Sequence, residues 1–255
     1  MSGRGWGRWL AVCLLAGVMS GCNEHSAEER DLLAAGEKLA TQGLAGAPAC
    51  ASCHGAKGEG TPAAGFPRLA GLDAGYLAKQ LQDMARDLPA GGVVMDPVAR
   101  DYTKTPRVNA DLTVFTPGIR KSPIMTPIAK QLSAEQIKAL AYYYSTLSFT
   151  AKPVAADYQT LERGADLALR GKPEYGLPAC VSCHAPDGEG FGADFPPLAG
   201  QPAQYLIGQI DQWQRGERDN DPLGLMRAVA DQLTDADKAN VAAYFANRSL
   251  EVKGK

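Results

Sequence analysis

The sequence has few of the residues on which several classes of protein depend. Aromatic residues make up 7% of its 255 residues, and only three histidines are present. A formal net charge of −2 and a pI near 6.0 leave the chain without the basic surface of a nucleic-acid-binding protein. Its N-terminal apolar run, Trp9 to Met19, has eleven residues and is too short to span a bilayer. The composition is that of an ordinary globular protein with no nucleic-acid partner and little aromatic bulk for its core.

The first residues read as an export signal. Arg4 and Arg8 precede the apolar run, as in the positive and hydrophobic regions of a signal peptide. The run ends in Met-Ser-Gly-Cys22, which resembles the sequence around the lipidated cysteine of bacterial lipoproteins. Ordinary cleavage nearby is the alternative, but it would leave Cys22 as a spare thiol in an exported protein. We predict a lipoprotein-type signal peptide at residues 1–21, a periplasmic location and a membrane anchor at Cys22. Loss of both arginines changes the net charge from −2 to −4.

The rest of the chain is an internal repeat, which indicates two copies of one small domain. Four patterns recur in the same order: Pro-Ala-Cys-x-Ser-Cys-His at 48–54 and 178–184, Phe-Pro-x-Leu-Ala-Gly at 66–71 and 195–200, Tyr-Leu-x-x-Gln at 76–80 and 205–209, and Met-x-x-x-Ala-x-x-Leu from Met125 and from Met226. The first domain is predicted at residues 22–152 and the second at residues 153–255.

Each copy is predicted to be mostly helical. Its first helix is expected near residues 27–42 in one copy and 158–170 in the other. Gly36 and Gly164 lie within these helices, where glycine costs stability, and a close approach of another helix would explain both. The last helix of each copy is expected to begin at a hydroxyl followed three residues later by an amide or an acid, as in a capping box: Ser133 with Gln136, and Thr234 with Asp237.

The two copies differ in length. Met125 follows His54 by 71 residues, whereas Met226 follows His184 by 42. The excess lies near residues 88–120, a stretch rich in Pro, Gly, Asp and Thr that has no sustained hydrophobic period. We predict a loop insertion there, confined to the first domain.

The Cys-x-x-Cys-His motif occurs once in each copy and is the attachment signature of c-type haem. Two thiols reach the two vinyl groups of one porphyrin, and the adjacent histidine meets the iron from the same side. A redox-active cysteine pair would need a thioredoxin-like context, a zinc site needs four ligands where each copy offers three, and a disulfide leaves the histidine unexplained. We therefore predict two covalently bound haem c groups, each with its iron, held by Cys50, Cys53 and His54, and by Cys180, Cys183 and His184.

A second axial ligand is needed for each iron, and neither copy contains an unused histidine. Methionine is the usual alternative in cytochromes. Met226 is the only methionine after the second motif, and it aligns with Met125 of the first copy. Met84 aligns with Trp213 on a helix and is better explained as a core residue, whereas Met95 lies in the insertion and has no counterpart in the second copy. We predict Met125 and Met226 as iron ligands.

Both halves resemble class I c-type cytochromes, and the pair resembles the di-haem cytochrome c4 family over about residues 30–250. The haem motifs, the Phe-Pro-x-Leu-Ala-Gly stretches and the methionine patterns carry the resemblance. It implies an all-α protein of two tandem class I cytochrome c domains, one His/Met haem in each, with the haems facing each other across the domain interface. This chain departs from the pattern in its insertion and in Pro197, which replaces Arg68. The second difference predicts unequal haem environments.

The resemblance implies a periplasmic electron carrier and not an enzyme. Its expected partners are respiratory proteins such as a terminal oxidase and a quinol-oxidising complex or dehydrogenase. With both axial positions of each iron filled, no position is open for a substrate. Two alternatives remain: a cytochrome subunit of a membrane-associated dehydrogenase or oxidase complex, or a di-haem enzyme such as a peroxidase or thiosulfate dehydrogenase. The thiosulfate enzyme is disfavoured because no cysteine is left inside the repeats to serve as its iron ligand.

Overall fold

The structure, a computed structural model, describes residues 26–86 and 118–254. The expected signal peptide, the expected anchor at Cys22 and most of the expected insertion, with Met95, lie outside the described residues. Within the two described ranges, no helix combines the length and apolarity that crossing a membrane would require.

Ten α-helices, five in each half of the chain, make up most of the regular secondary structure of the described residues. In the first half they are α1 (Ala27–Gln42), α2 (Ala51–His54), α3 (Ala74–Ala85), α4 (Met125–Ala129) and α5 (Ala134–Thr146). In the second half they are α6 (Tyr158–Arg170), α7 (Val181–His184), α8 (Ala203–Gln214), α9 (Leu225–Ala230) and α10 (Asp235–Ala246). The described chain is therefore two copies of one helical plan, and the expected all-α class with two tandem domains is confirmed.

Short polar sequences fix where the longer helices begin. A capping box starts α5 at Ser133 and α10 at Thr234, where each hydroxyl accepts a hydrogen bond from the backbone N–H three residues on. These bonds satisfy amides that have no partner inside the helix. Asp157 caps α6 in the simpler way, by accepting from the N–H of Thr160. The predicted first helices and the predicted caps of the last helices are confirmed.

The first and last helices of each half cross at a glycine. A Cβ atom added to Gly36 on α1 would lie 2.3 Å from the carbonyl oxygen of Ala139 on α5. A Cβ atom added to Gly164 on α6 would lie 2.1 Å from the carbonyl oxygen of Asn240 on α10. Each glycine therefore lets two helix backbones touch, which confirms the reason predicted for both. Apolar side chains close the core on either side, among them Leu77, Ile137, Leu140 and Tyr144 in the first half, and Leu206, Ile210, Val241 and Phe245 in the second.

A short antiparallel pair joins the linker to the C-terminal end of the described chain. Strand β1 (Phe149–Thr150) pairs with strand β2 (Glu251–Val252), with Phe149 opposite Val252. Val252 also covers Gly71 of the first half, where an added Cβ atom would come within 2.6 Å of the valine side chain. The chain thus returns to the domain junction after completing its second half.

Candidate haem-binding sites

Each cysteine motif folds as a single helical turn, α2 or α7. The N–H of His54 donates to the carbonyl oxygen of Cys50 at 2.9 Å, and the N–H of His184 donates to that of Cys180 at the same distance. Residues four apart lie on one face of a helix, so this turn puts the histidine and the first cysteine of each motif on the same side.

All four described cysteines are free thiols, as covalent attachment to vinyl groups requires. Burial raises the pKa of Cys180 to about 11, and it also raises the pKa of Cys50. Both thiols are therefore protonated at neutral pH, unlike the activated thiolate of a redox pair. Burial of these thiols favours the haem interpretation over a reactive Cys-x-x-Cys site.

Both histidines are oriented by a backbone carbonyl. The Nδ1 atom of His54 lies 3.0 Å from the carbonyl oxygen of Pro67, and that of His184 lies 2.8 Å from the carbonyl oxygen of Pro196. A carbonyl oxygen only accepts, so Nδ1 carries the proton and Nε2 keeps its lone pair for a metal. Burial lowers the pKa of both imidazoles, which holds them in the neutral form that a metal ligand needs.

Each histidine opens onto a cavity that also contains a predicted methionine. The first cavity has a volume of about 300 Å³ and is lined by Cys50, His54 and Met125. The second has a volume of about 200 Å³ and is lined by Cys180, Cys183, His184 and Met226. Apolar side chains supply most of the remaining walls, including Leu72, Leu77 and Leu140 in the first cavity and Leu206, Ile210 and Phe245 in the second. These apolar linings suit a flat, largely apolar porphyrin. Of the four motif cysteines, only Cys53, on α2, is not part of a cavity lining.

Both predicted methionines lie in the first turn of a short helix, Met125 as the first residue of α4 and Met226 as the second residue of α9. A preceding side chain accepts a hydrogen bond from the backbone N–H of each. The N–H of Met125 donates to the hydroxyl of Ser122 at 3.0 Å. The N–H of Met226 donates to a carboxylate oxygen of Asp221 at 2.8 Å. Met84 is buried on α3 and also lines the first cavity, as Trp213 lines the second. The assignment of Met125 over Met84 therefore stays a prediction.

A largely buried polar cluster lies between the two cavities, and the sequence alone did not reveal it. We call it the interface cluster; its members are Tyr76, Gln80, Arg120, Tyr205, Gln209, Arg218 and Asn220. Arg120 donates to Gln80 at 2.9 Å, to the hydroxyl of Tyr205 at 2.9 Å and to Gln209 at 2.7 Å. Arg218 donates to Gln209 and to Asn220, each at 2.9 Å. The repeated Tyr-Leu-x-x-Gln pattern was the one sequence signal for this cluster, because its tyrosines and glutamines line both cavities.

Arg68 makes a second contact between the halves, and this contact has no twin. Its N–H donates to the side-chain oxygen of Gln201 at 3.0 Å, and the amide of Gln201 donates back to the carbonyl oxygen of Arg68 at 3.1 Å. The guanidinium is fully buried and donates to the carbonyl oxygens of Ala70 at 2.6 Å and Ala199 at 3.2 Å. At the aligned positions stand Pro197, which lacks an N–H, and Leu72, which lacks an amide. The junction therefore has this polar contact at Arg68 and Gln201 but cannot form the same pair of hydrogen bonds at the aligned residues, Pro197 and Leu72.

Comparisons with known proteins agree with this geometry. The family described as cytochrome c matches residues 33–148 and again residues 168–249. The chain is 43% identical over 250 residues to the thiosulfate dehydrogenase electron acceptor of Stutzerimonas stutzeri, covering 94% of this chain and 97% of the relative. Among solved structures, reduced cytochrome c4 from Pseudomonas stutzeri has a TM-score of 0.65 and 32% identity, covering 85% of this chain and 98% of that one. Thiosulfate dehydrogenase (TsdBA) from Marichromatium purpuratum has a TM-score of 0.67 and 39% identity; the match covers 85% of this chain but only 40% of the longer chain.

Proposed function

This chain belongs to the cytochrome c family as a di-haem, cytochrome c4-like electron carrier with two covalently bound haem c groups, and we propose that it accepts single electrons from a thiosulfate-oxidising dehydrogenase. The observation that carries the proposal is the 43% identity, over nearly the whole chain, to a protein named as the electron acceptor of that enzyme. The similarity to one part of a longer thiosulfate dehydrogenase chain supports the same partner.

We assign the residues of the two sites from the two Cys-x-x-Cys-His motifs and from the repeat that aligns Met125 with Met226. In the first domain, Cys50 and Cys53 form the thioethers, and His54 and Met125 are the axial ligands. In the second domain the corresponding residues are Cys180, Cys183, His184 and Met226. When bound, each haem supplies an iron that takes up and releases one electron. The protein orients the imidazoles through the carbonyl oxygens of Pro67 and Pro196 and keeps water away with its apolar walls.

The proposed role is that of a carrier beside the enzyme and not that of the catalytic subunit. Two axial ligands in each domain leave thiosulfate no iron to bind. The electrons then pass onward to a respiratory acceptor, for which a terminal oxidase remains our proposal. A quinol-oxidising complex is the competing donor.

The proposed location is the periplasm, with a lipid anchor at Cys22. Both follow from the signal sequence and the Ser-Gly-Cys22 pattern. Mass spectrometry of the mature N-terminus tests the anchor. A diacylated cysteine as the first residue is expected, and an unmodified chain that begins elsewhere would contradict it.

Stopped-flow spectroscopy tests the electron donor. The oxidised protein is mixed with a thiosulfate dehydrogenase in the presence and absence of thiosulfate, and haem reduction is followed in the visible bands. We expect rapid reduction only when enzyme and thiosulfate are both present. A quinol-oxidising complex with its quinol, offered in a parallel experiment, is expected to react more slowly. The reverse order of rates would replace the proposed donor.

A further inference from the structure

The loop that follows each haem motif has the same backbone plan in both halves. It runs over residues 55–66 in the first half and over residues 185–195 in the second. The N–H of Thr61 in one loop and that of Phe191 in the other donate, at 3.0 and 2.8 Å, to the carbonyl oxygen of the phenylalanine that ends the loop. Each of these residues follows the histidine of its motif by seven positions. Thr61 and Phe191 are therefore corresponding residues, and their side chains can be compared directly.

These two side chains have opposite surroundings. The hydroxyl of Thr61 turns inward and donates to the carbonyl oxygen of Cys53 at 2.7 Å. The ring of Phe191 has no such bond to make and is 57% exposed. Within residues 26–86 and 118–254, it is the one exposed aromatic side chain that has no hydroxyl group for water to bind. The second half thus presents an apolar ring to solvent where the first half has a polar contact of its own.

The exposed ring is held in place by its neighbours. The ring centroids of Phe191 and Phe195 are 4.9 Å apart, with 31° between the ring planes. Phe195 in turn lines the second cavity and lies edge-on to His184, at 6.4 Å between ring centroids. The first half supports the loop from outside, since a Cβ atom added to Gly75 on α3 would lie 3.2 Å from that of Ala193. A ring fixed in this way loses little conformational entropy on binding, as an anchor residue of an interface requires.

The charges of the two loops also differ. The loop of the first half has one base and one acid, whereas the loop of the second half has no base and three acids: Asp187, Glu189 and Asp194. Arg248 forms an ion pair with Asp187, so two of the three negative charges remain, on the exposed side chains of Glu189 and Asp194. These carboxylates stand two and three residues from Phe191 on either side of it. An apolar centre with a charged rim is the usual plan of a protein interface.

We propose that residues 185–195, here called the Phe191 loop, are the surface on which the electron-donating dehydrogenase docks. The ring of Phe191 enters an apolar pocket of the partner, and Lys or Arg side chains around that pocket face Glu189 and Asp194. Opposite charges at the rim steer such partners together and fix their orientation. Since Phe191 stacks on a ring that lines the second cavity, the partner is seated beside that cavity. The donor's electron reduces a ferric iron to ferrous, and docking itself breaks no bond and moves no proton. The identity of the partner rests on the proposed function.

Binding without turnover tests the anchor. The oxidised, haem-loaded protein is passed over immobilised thiosulfate dehydrogenase in the absence of thiosulfate, and the Kd is measured by surface plasmon resonance. Phe191→Thr gives the loop the residue of the first half and should raise the Kd about tenfold, a loss expected when a central interface aromatic is truncated. The matched control is Tyr175→Thr, which removes a 71% exposed ring of the same half outside the lining of the second cavity. Its Kd should stay within about twofold of the wild type, and the visible haem spectrum should be unchanged in both variants.

Charge variants test the rim. The double variant Glu189→Gln with Asp194→Asn should slow association and weaken its dependence on salt, while dissociation changes little, because exposed charges act mainly on the encounter. Glu59→Gln is the matched control. Glu59 is the exposed acid of the first loop at the position of Glu189, and each of the two accepts from the backbone N–H two residues before it. Its association rate should stay at the wild-type value. Equal salt dependence in the double variant and in Glu59→Gln would contradict a basic rim on the partner.

Stopped-flow reduction by the dehydrogenase and thiosulfate separates docking from electron transfer. For Phe191→Thr we expect the bimolecular rate constant to fall about tenfold, in parallel with the affinity, while the limiting rate at saturating partner changes little, because the ring binds the partner and takes no part in the chemistry. Equal affinities and rates for Phe191→Thr and Tyr175→Thr, with a wild-type protein that binds and is reduced, would overturn the docking surface and leave the proposed function intact. A wild-type protein that neither binds the dehydrogenase nor is reduced by it would overturn both.

Discussion

The two domains orient their histidines in the same way and anchor their methionines in different ways. Both imidazoles face a proline carbonyl, at 3.0 and 2.8 Å, and both domains cross their first and last helices at a glycine. In contrast, a neutral hydroxyl precedes one methionine and a buried carboxylate precedes the other. The duplicated chain has kept the features that grip a haem and has diverged in those that set its electrostatic surroundings.

Loss of an axial methionine is expected to have the largest effect. Met125→Ala and Met226→Ala should each remove about half of the near-infrared band of methionine-ligated ferric haem, because each domain contributes one such ligand. Met84→Leu is the matched control in the wall of the first cavity and should leave the band intact. Loss of the band in Met84→Leu, together with its survival in Met125→Ala, would move the ligand to α3.

The glycine crossings provide the next largest effect. Gly164→Ala places a methyl group 2.1 Å from a backbone oxygen of α10, and overpacking of this kind costs about 3 kcal/mol. Gly36→Ala should cost a similar amount in the first domain. The control is Gly208→Ala on α8, where an added Cβ atom meets nothing within 4 Å and a gain of about 0.5 kcal/mol is expected. Urea midpoints measure all three variants, and equal midpoints for Gly164→Ala and Gly208→Ala would mean that α6 and α10 do not touch there.

The one-sided contact at the junction should have a smaller effect. Gln201→Leu makes this position of the second domain like Leu72 of the first and removes the acceptor of the buried Arg68 N–H. An unsatisfied buried amide costs about 1–3 kcal/mol. Gln204→Leu changes an exposed glutamine three residues further along the chain, in α8, and should stay within about 0.5 kcal/mol of the wild type. A urea midpoint for Gln201→Leu as high as that of Gln204→Leu would show that the contact adds no stability.

The smallest expected effect is a difference between the two domains in how much stability each loses in acid. The cap of α10 uses Asp237, which also pairs with Lys172 at 2.7 Å, whereas the cap of α5 uses the neutral Gln136. Partial burial raises the pKa of Asp237, but the hydrogen bonds from Lys172 and Thr234 outweigh it and hold the pKa below its usual value. The stability from this cap is therefore present above the ordinary Asp pKa of about 3.9 and is lost as the pH falls below it.

Between pH 6 and pH 3 we expect the free energy of unfolding of the second domain to fall by about 0.5 kcal/mol through protonation of Asp237. The value is small because the ion pair with Lys172 is partly exposed to solvent. Circular dichroism during urea unfolding at pH 3 and pH 6 measures it. Asp237→Asn should reduce the difference between the two pH values. An unchanged difference in that variant would assign the acid sensitivity to other carboxylates.

Local features of the structure could be read from the sequence, because neighbouring residues determine them. The capping boxes at Ser133 and Thr234 mark helix starts through hydrogen bonds three residues away. Gly36 and Gly164 indicated helix contact because glycine is otherwise costly inside a helix. The internal repeat supplied the prediction of the axial methionines, because Met125 and Met226 align with each other and the other methionines have no methionine counterpart.

The arrangement between the domains could not be read in this way. Arg120 and Arg218 become neighbours through the mutual orientation of two folded halves, and no local pattern specifies that orientation. The sequence also showed Asp221 as one more acid near a loop; its burial against Met226 and Trp213 appears only in three dimensions. The replacement of Arg68 by Pro197 indicated only that the two haem environments differ. The direction of that difference depends on which charged side chains line each cavity.

The pairing of Phe149 with Val252 has a consequence for the modular use of this chain. The strand that leads into the second domain and the strand that leaves it lie side by side, so the two ends of this domain meet at one place on the domain junction. A unit whose ends meet can be moved, duplicated or joined to another protein with little disturbance to its interior. The paired strands β1 and β2 therefore make this domain suited to fusion with another protein, because a polypeptide joined at either end would attach at the same place.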